Sequence, residues 1–184
     1  MAAEAYPTPL AGQRLTATLL RSMQPQTLRK PGDTARSATT TQAADPHLQM
    51  DVVANGVYTI SGWVIYDAAT AGDFVLGWSF PSGTGTWVGH GGGTTVTSAT
   101  GAGGTQQDAS STWGYNVRME ATALNATRTY GGLGAGTQLT VLLSGTYRAG
   151  STGGTLALTW AQSVSTATAT TVYTDSWLSV QRTA

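Results

Sequence analysis

The chain has no cysteine and few charged residues, and both absences narrow what it can do. Without cysteine it has no disulfide, no thiolate metal ligand and no cysteine nucleophile. Only 10% of its 184 residues are charged, against about 25% in a typical globular protein. Its surface must therefore be covered mainly by Ser, Thr, Gly, Gln and Asn, which is typical of a chain that shares its surface with neighbours or works outside the cell.

Long hydrophobic runs are also missing. No apolar run approaches the ~18 residues that would indicate a membrane-spanning helix, and the N-terminus lacks the continuous apolar core of a signal peptide. We therefore expect neither a membrane span nor export as a free polypeptide. What the chain does have is a 40% share of hydrophobic residues and a length that suits one well-buried core.

The zero net charge conceals an asymmetry between the two parts of the chain. Residues 1–36 hold five basic and two acidic residues, for a net charge of +3, whereas residues 37–184 hold four basic and seven acidic residues, for −3. This pattern predicts a basic arm that docks on an acidic neighbour, although a merely solvated basic segment fits it too. Nucleic acid is not expected as a partner, because the charges are few and no aromatic residues are interleaved among them.

The arm contains one segment with helical spacing. In LTATLLRSM, the apolar residues Leu15, Leu19 and Met23 recur at i, i+4 and i+8, and Pro25 ends the pattern. A single short amphipathic helix is not stable alone in water, so it must dock on another surface. The predicted docking residues are Leu15, Leu19, Leu20, Arg21, Met23, Arg29 and Lys30.

From residue 37 onward the pattern is that of an all-β protein. Strands are predicted in segments 55–67, 73–80, 137–148, 155–162 and 171–182, which are rich in β-branched and aromatic residues. Glycine-rich turns separate them. Short strands punctuated by turns predict an antiparallel β-sandwich, specifically a jelly roll, over residues 37–184.

Several motifs carry a resemblance to a known group of proteins. The segments AGQRLTATLL, ADPHLQ, NGVY (55–58) and TATTVYTDSWL (168–178) resemble small virion proteins of tailed phages that infect actinobacteria. The early NGVYTISGWVIYD and the late DSWLSVQR are also similar to trimeric jelly rolls of the tumour-necrosis-factor and C1q type. The resemblance implies a homotrimeric, non-enzymatic virion component, of the minor-tail, tail-fibre or head-decoration type, that contacts other virion proteins through its arm.

The segment GTGTWVGHGGG is the one stretch that suggests catalysis. His-Gly-Gly-Gly occurs in esterase oxyanion loops, but that chemistry also needs a G-x-S-x-G elbow, and the chain has none. A phosphate-binding loop needs a helix to follow it, and no helix is predicted there. We therefore predict a turn-forming loop, no catalytic residue, no metal and no cofactor. An enzyme would remain possible only if two distant carboxylates met across a sugar.

Six tryptophans offer a further clue. Trp63, Trp78, Trp160 and Trp177 lie in strand patterns, which favours core or subunit-interface positions. Trp87 and Trp113 lie beside Gly- and Ser-rich loops, and Trp87 is near one end of a long tract, residues 83–111, that is predicted to lack regular structure. Packing beneath the loops is one interpretation. The alternative is that Trp87, His90 and Trp113 contact a partner or a host cell-wall glycan, which makes a carbohydrate-binding module the second functional hypothesis.

Overall fold

The computed structural model describes residues 11–12, 14–17, 20, 23–91 and 121–184. Within these residues the chain is all-β and contains almost no helix. Its strands are β1 (Gln26–Arg29), β2 (Thr34–Arg36), β3 (Ala43–Val52), β4 (Val57–Asp67), β5 (Phe74–Ser79), β6 (Gly83–Gly91), β7 (Thr122–Ala123), β8 (Arg128–Tyr130), β9 (Leu139–Ala149), β10 (Gly154–Gln162), β11 (Thr170–Val172) and β12 (Trp177–Arg182).

The strands form two antiparallel sheets. The larger sheet has the order β1-β12-β4-β9-β6-β7, and β11 joins β4 to β2 at one end. The smaller sheet has the order β3-β10-β5-β8. Neighbouring strands are mostly far apart in sequence, because the chain passes from one sheet to the other after β2, β3, β4, β5, β7, β8, β9 and β10.

A single hydrophobic core lies between the sheets. Side chains of both sheets contribute to it, and two aromatic pairs join one sheet to the other. Tyr66 of β4 stacks on Phe74 of β5 with ring centroids 4.3 Å apart. Trp78 of β5 meets Trp87 of β6 edge to face at 6.1 Å. Offset and edge-to-face contacts of this kind add to the stabilisation that apolar burial provides.

Period-2 alternation explains the long strand β9. Val141, Leu143 and Tyr147 are buried, whereas Thr140, Ser144 and Thr146 are exposed, as the sequence predicts. The central strand β10 differs from its prediction. Ala157, Thr159 and Ala161, which were expected on an outward face, are also buried, so both faces of β10 are covered.

The segment 83–91 was predicted to be a loop, and that prediction is wrong: it is the strand β6. Its inward positions Gly85, Gly89 and Gly91 alternate with outward residues. A Cβ at Gly89 would collide with the hydroxyl of Tyr130, which donates a hydrogen bond to the Gly89 carbonyl at 3.1 Å. The role of the glycines is therefore to make room for the large buried side chain of Tyr130, not to form a turn.

The predicted boundary at residue 36 also needs correction. Residues 26–29 pair with β12, and residues 34–36 pair with β11, so both segments belong to the larger sheet and not to a separate arm. Upstream of it, the Leu20 amide donates to the Thr16 carbonyl at 3.0 Å. Residues 18–19 and 21–22 of the predicted helix lie outside the described residues.

The C-terminal segment 171–182 was predicted as one strand, but it forms two. The break falls at Asp175, whose φ is +69°, a left-handed conformation that a regular strand cannot accommodate. Because of this break, β11 pairs with β2 and β12 pairs with β1. Both N-terminal strands are thus held by the C-terminal segment.

Candidate functional site

The outward surface of the larger sheet carries an aromatic and apolar row. Trp177 of β12 pairs with Trp63 of β4, which pairs with Leu142 of β9, which pairs with His90 of β6. Residues in register on one face of a sheet lie side by side, so the four side chains form a continuous stripe across the strands. Leu142 is 54% exposed, and the two tryptophans are partly exposed.

Two polar rows continue this surface away from the stripe. The rows are Ser179–Ser61–Ser144–Val88 and Gln181–Thr59–Thr146–Thr86. We call the aromatic stripe and these two rows, twelve residues in all, the central block. None of the twelve is Asp, Glu, Lys or Arg. A half-exposed leucine beside two tryptophans, with no charge among them, is the composition of an interface centre rather than of an ordinary solvated surface.

An open depression lies at one edge of the central block. It measures about 490 Å³ and is lined by Thr27, Arg29, Ser61, Trp177 and Ser179. It therefore combines one aromatic ring, three hydroxyl groups and a guanidinium group. The Arg29 side chain is an exposed ion-pair partner of Asp175.

A buried polar cluster occupies the space where β1 and β2 meet β3. We call it the Lys30 cluster: Lys30, Thr34, Asp45, His47 and Trp160. The Lys30 Nζ atom lies 2.9 and 3.1 Å from the two Asp45 carboxylate oxygens, and both side chains are fully buried. The Lys30 Nζ atom also donates to Thr34 Oγ1 at 2.6 Å and lies 3.3 Å from His47 Nδ1.

The Asp45 carboxylate has further donors within the Lys30 cluster. Trp160 Nε1 donates to Oδ2 at 3.0 Å, and the His47 backbone N–H donates to Oδ1 at 2.9 Å. Buried charges are normally paired and hydrogen-bonded in this way, because an unpaired ion in a dry interior is strongly unfavourable. The His47 side chain remains about one-third exposed, so the cluster touches solvent on that side.

Arg36 covers the Lys30 cluster from the side of β2. Its guanidinium group donates to the carbonyls of Ala43, Ala44 and Trp160 and lies 3.9 Å from the centre of the Trp160 ring. Burial lowers the pKa of Arg36, while the nearby Asp45 charge acts in the opposite direction. The planar fork of arginine suits three carbonyl acceptors and a ring face at once.

A second polar junction fixes the other loops of the larger sheet. The Asp67 carboxylate accepts hydrogen bonds from the Gly136 and Thr171 amides and from the Tyr173 hydroxyl at 2.8 Å. Burial and this bond to Asp67 raise the pKa of Tyr173 to about 12. Asp33 in turn accepts from the Thr174 amide and hydroxyl, which lowers its pKa. Asp67 and Asp33 thus accept hydrogen bonds from nearby residues, which is typical of side chains that anchor loops.

Two of the three predicted contact residues lie in a strand and not in the expected loop. Trp87 was expected at a loop, but it lies in β6, is only 2% exposed and donates from Nε1 to the Ala126 carbonyl at 3.3 Å. It cannot present its ring to a partner. His90 is a half-buried residue on the outward side of β6 and belongs to the central block. Trp113 lies outside the described residues.

The predicted docking residues also differ from one another in how far they are exposed. Leu15 and Leu20 are 59% and 47% exposed, and Met23 is partly buried. Lys30 was expected on a docking surface, and this is wrong, because its ammonium group is buried against Asp45. Arg29 stays exposed but lies in β1. Leu19 and Arg21 lie outside the described residues.

Sequence reasoning missed the central block and the Lys30 cluster. Trp63 and Trp177 were expected in a core or an interface, but nothing in the sequence placed them beside Leu142. That placement depends on the register between β12, β4 and β9. A signal was nonetheless present for β9, because Leu142 interrupts the otherwise polar outward row of Thr140, Ser144 and Thr146.

Metal binding and membrane spanning find no support in the part of the chain that the structure describes. No group of three or more His, Asp or Glu side chains there is arranged to hold a metal ion. No helix among those residues is long and apolar enough to cross a membrane. Comparison with family models, curated proteins and solved structures finds no match for this chain.

Proposed function

We propose that the chain is a non-enzymatic structural protein of a tailed-phage virion, a homotrimeric jelly roll of the minor-tail or tail-fibre type. The observation that carries the proposal is the central block, an uncharged face with an aromatic stripe on the larger sheet. In this proposal, the residues before Gln26 anchor the trimer to other virion proteins.

The strand order supports the jelly-roll part of the proposal. A jelly roll consists of two antiparallel sheets joined by repeated crossings in two Greek keys. Here β1-β12-β4-β9 and β3-β10-β5-β8 provide four strands to each sheet, and the chain alternates between them. The strands β2, β11, β6 and β7 extend the larger sheet on this interpretation.

The size of the central block supports self-association. Four strands at their usual spacing and three residue rows cover roughly 400 Å², about half of the ~800 Å² that each partner buries in a standard interface. The block would supply the apolar centre of the contact, and the surrounding Ser and Thr residues its polar rim. In a closed three-fold ring the contact is heterologous, so the central block of one subunit would meet a different surface of the next subunit.

The exposed leucines before β1 support an anchoring segment. Leu15 and Leu20 are among the most exposed large apolar residues described, and they lie upstream of an edge strand that is already paired with β12. Exposed apolar side chains of this kind mark a surface that another molecule can bury.

The trimer is tested by light-scattering mass of the purified chain and of two matched leucine variants. The wild-type mass is expected to be three times the 18.9 kDa chain. Leu142→Arg places a charge in the central block and should yield monomers, whereas Leu133→Arg, at a loop leucine that is 64% exposed, should remain trimeric. A monomeric wild type, or a Leu142→Arg variant that stays trimeric, would refute the central block as the interface.

The position in the virion is tested on purified particles of the phage that encodes the chain. Antibody-coupled gold raised against the protein should label the tail, and label on the head would instead assign it to head decoration. Particles assembled with a chain lacking residues 1–25 should carry no label, because the anchor is gone. Particles that contain no copy of the chain would refute the virion proposal altogether.

A carbohydrate-binding module is the second candidate, and the depression beside Trp177 is the observation that favours it. A ring flanked by hydroxyls and the Arg29 guanidinium can stack on and hydrogen-bond to a sugar. Titration with solubilised actinobacterial cell-wall polysaccharide separates the two candidates. Saturable binding that Trp177→Ala abolishes would favour the module, and no binding by a trimer would favour the structural role alone.

A further inference from the structure

The Lys30 cluster has the components of a self-modification site. An amine and a carboxylate face each other at 2.9 Å, both fully buried, with an imidazole nitrogen 3.3 Å from the amine. Loop anchoring accounts for Asp67 and Asp33, whose partners are mainly backbone amides. It does not account for a lysine whose ammonium group is placed against a carboxylate in the dry interior.

We propose that Lys30 and Asp45 condense to form an intrachain isopeptide bond. Nζ of Lys30 bonds to Cγ of Asp45, and the bond from Cγ to one carboxylate oxygen breaks. That oxygen leaves as water with two of the three ammonium protons, and the third stays on the amide nitrogen. The step needs no oxidant, reductant or further reactant.

His47 provides the proton transfer that this reaction requires. A lysine amine attacks only after losing a proton, and a neighbouring base activates it. His47 Nδ1 lies within contact of Nζ and 3.9 Å from Asp45 Oδ1. It can therefore take a proton from the amine and return it to the leaving oxygen, as general acid–base catalysis requires.

A hydrogen-bond donor stabilises the charge that develops on Asp45. Trp160 Nε1 donates to Oδ2, the oxygen that stays on Cγ, while the His47 backbone N–H donates to Oδ1, the oxygen that leaves. Fixed donors aimed at an oxygen that becomes negatively charged in a tetrahedral intermediate are the usual way in which acyl transfer is assisted. The Arg36 guanidinium adds positive charge on the same side.

Burial favours the product as well as the reaction. The folded chain holds the reacting groups together, which replaces an encounter between two molecules. Excluding water from the site opposes hydrolysis. Condensation also removes two buried charges, and with them the desolvation penalty that a buried ion pair carries. The bond would join the segment that follows β1 to β3 of the other sheet.

Mass spectrometry of the denatured wild-type chain tests this directly. The intact mass is expected to be one water molecule below that of the same chain without the bond. In a tryptic digest, residues 30–36 should be found only as a branch on the peptide of residues 37–118, because the Lys30–Pro31 bond resists trypsin and the next cleavage sites are Arg36 and Arg118. A free peptide of residues 30–36 in the folded wild type's digest would overturn the proposal.

Two variants exclude other sources of water loss. Lys30→Arg keeps the positive charge but cannot form the amide, so its mass should be that of the full uncondensed chain. If Lys30→Arg also lacks a water, the loss arises elsewhere, for example from a succinimide, and the proposal fails. His47→Ala should slow condensation at least tenfold in a refolding time course. An unchanged rate would remove His47 from the mechanism and overturn that part of the proposal.

Discussion

Replacing Trp87 with alanine should destabilise the chain severely, although an exposed loop contact was one of the two interpretations of this residue from the sequence. The indole ring is 2% exposed, lies edge to face against Trp78 at 6.1 Å and donates to the Ala126 carbonyl at 3.3 Å. The substitution removes a ring at the contact between the two sheets. It also leaves a cavity that glycine-rich β6 has few side chains to fill.

The magnitude follows from these contacts. Truncating a buried tryptophan to alanine typically lowers the free energy of unfolding by about 3–5 kcal/mol. Trp87 should fall in the upper half of this range, because its lost hydrogen bond and its lost ring pair each contribute about 1 kcal/mol within the total. For a chain of this length, each kcal/mol lowers Tm by roughly 2–4 °C, so a decrease of about 8–20 °C is expected.

The assay is urea unfolding followed by far-ultraviolet circular dichroism, at equal protein concentration for every variant. The control is Thr84→Ala, an exposed residue of the same strand that lies outside the central block, which should change the free energy of unfolding by less than about 0.5 kcal/mol. A loss below about 1 kcal/mol for Trp87→Ala would show that the ring is not packed between the sheets, and the described position of β6 would be refuted.

Three further predictions concern the glycines and the polar junctions. Gly89→Ala should lower Tm by several degrees, because its Cβ would collide with a buried tyrosine hydroxyl, while Gly32→Ala, which has open space around it, should leave Tm within about 1 °C. The pKa of Tyr173, about 12, lies above its unfolded value of about 10. Its contribution to stability is therefore complete below pH 10 and is lost as the pH rises through 12, and Asp67→Asn should lower this pKa in an ultraviolet titration. Arg36→Lys keeps the charge but loses the forked contacts to three carbonyls, so it should lower the free energy of unfolding by about 1–3 kcal/mol in urea titration; an unchanged midpoint would refute that role.

Local patterns were enough to predict β9 and β10. The segment predicted at 137–148 corresponds to β9 (Leu139–Ala149), and the segment at 155–162 to β10 (Gly154–Gln162). Alternation is a property of adjacent residues, so it is readable without knowing which strands meet. The all-β class and the antiparallel sheets follow from the same signal, and both are confirmed.

The strand β6 could not be predicted, because its inward positions are mostly glycine. Glycine is depleted in strands and gives no hydrophobic signal. Glycine is suitable here because the ring of Tyr130, from a strand of the other sheet, occupies the space that a side chain would need. The relevant contact joins residues 41 positions apart in the chain, so it has no local trace.

The Lys30 cluster was missed for a related reason. A lysine is usually exposed, and the basic surroundings of Lys30 favoured a docking surface. Its burial depends on Asp45 and on Trp160, which is brought to the same place by the pairing of β10 with β3. The central block likewise depends on inter-strand register, which a single sequence does not reveal.

The pairing of β1 with β12 has a consequence for the order of events during synthesis. Thr27 and Ser179, whose hydroxyls share a hydrogen bond, are 152 residues apart, and β12 also separates β1 from β4. During translation, β1 therefore has no strand to pair with until β12 has emerged from the ribosome. A chain released before Trp177 would leave an open gap in the larger sheet. Only products translated past that point can close the sheet, so closure itself reports that β12 has been synthesised.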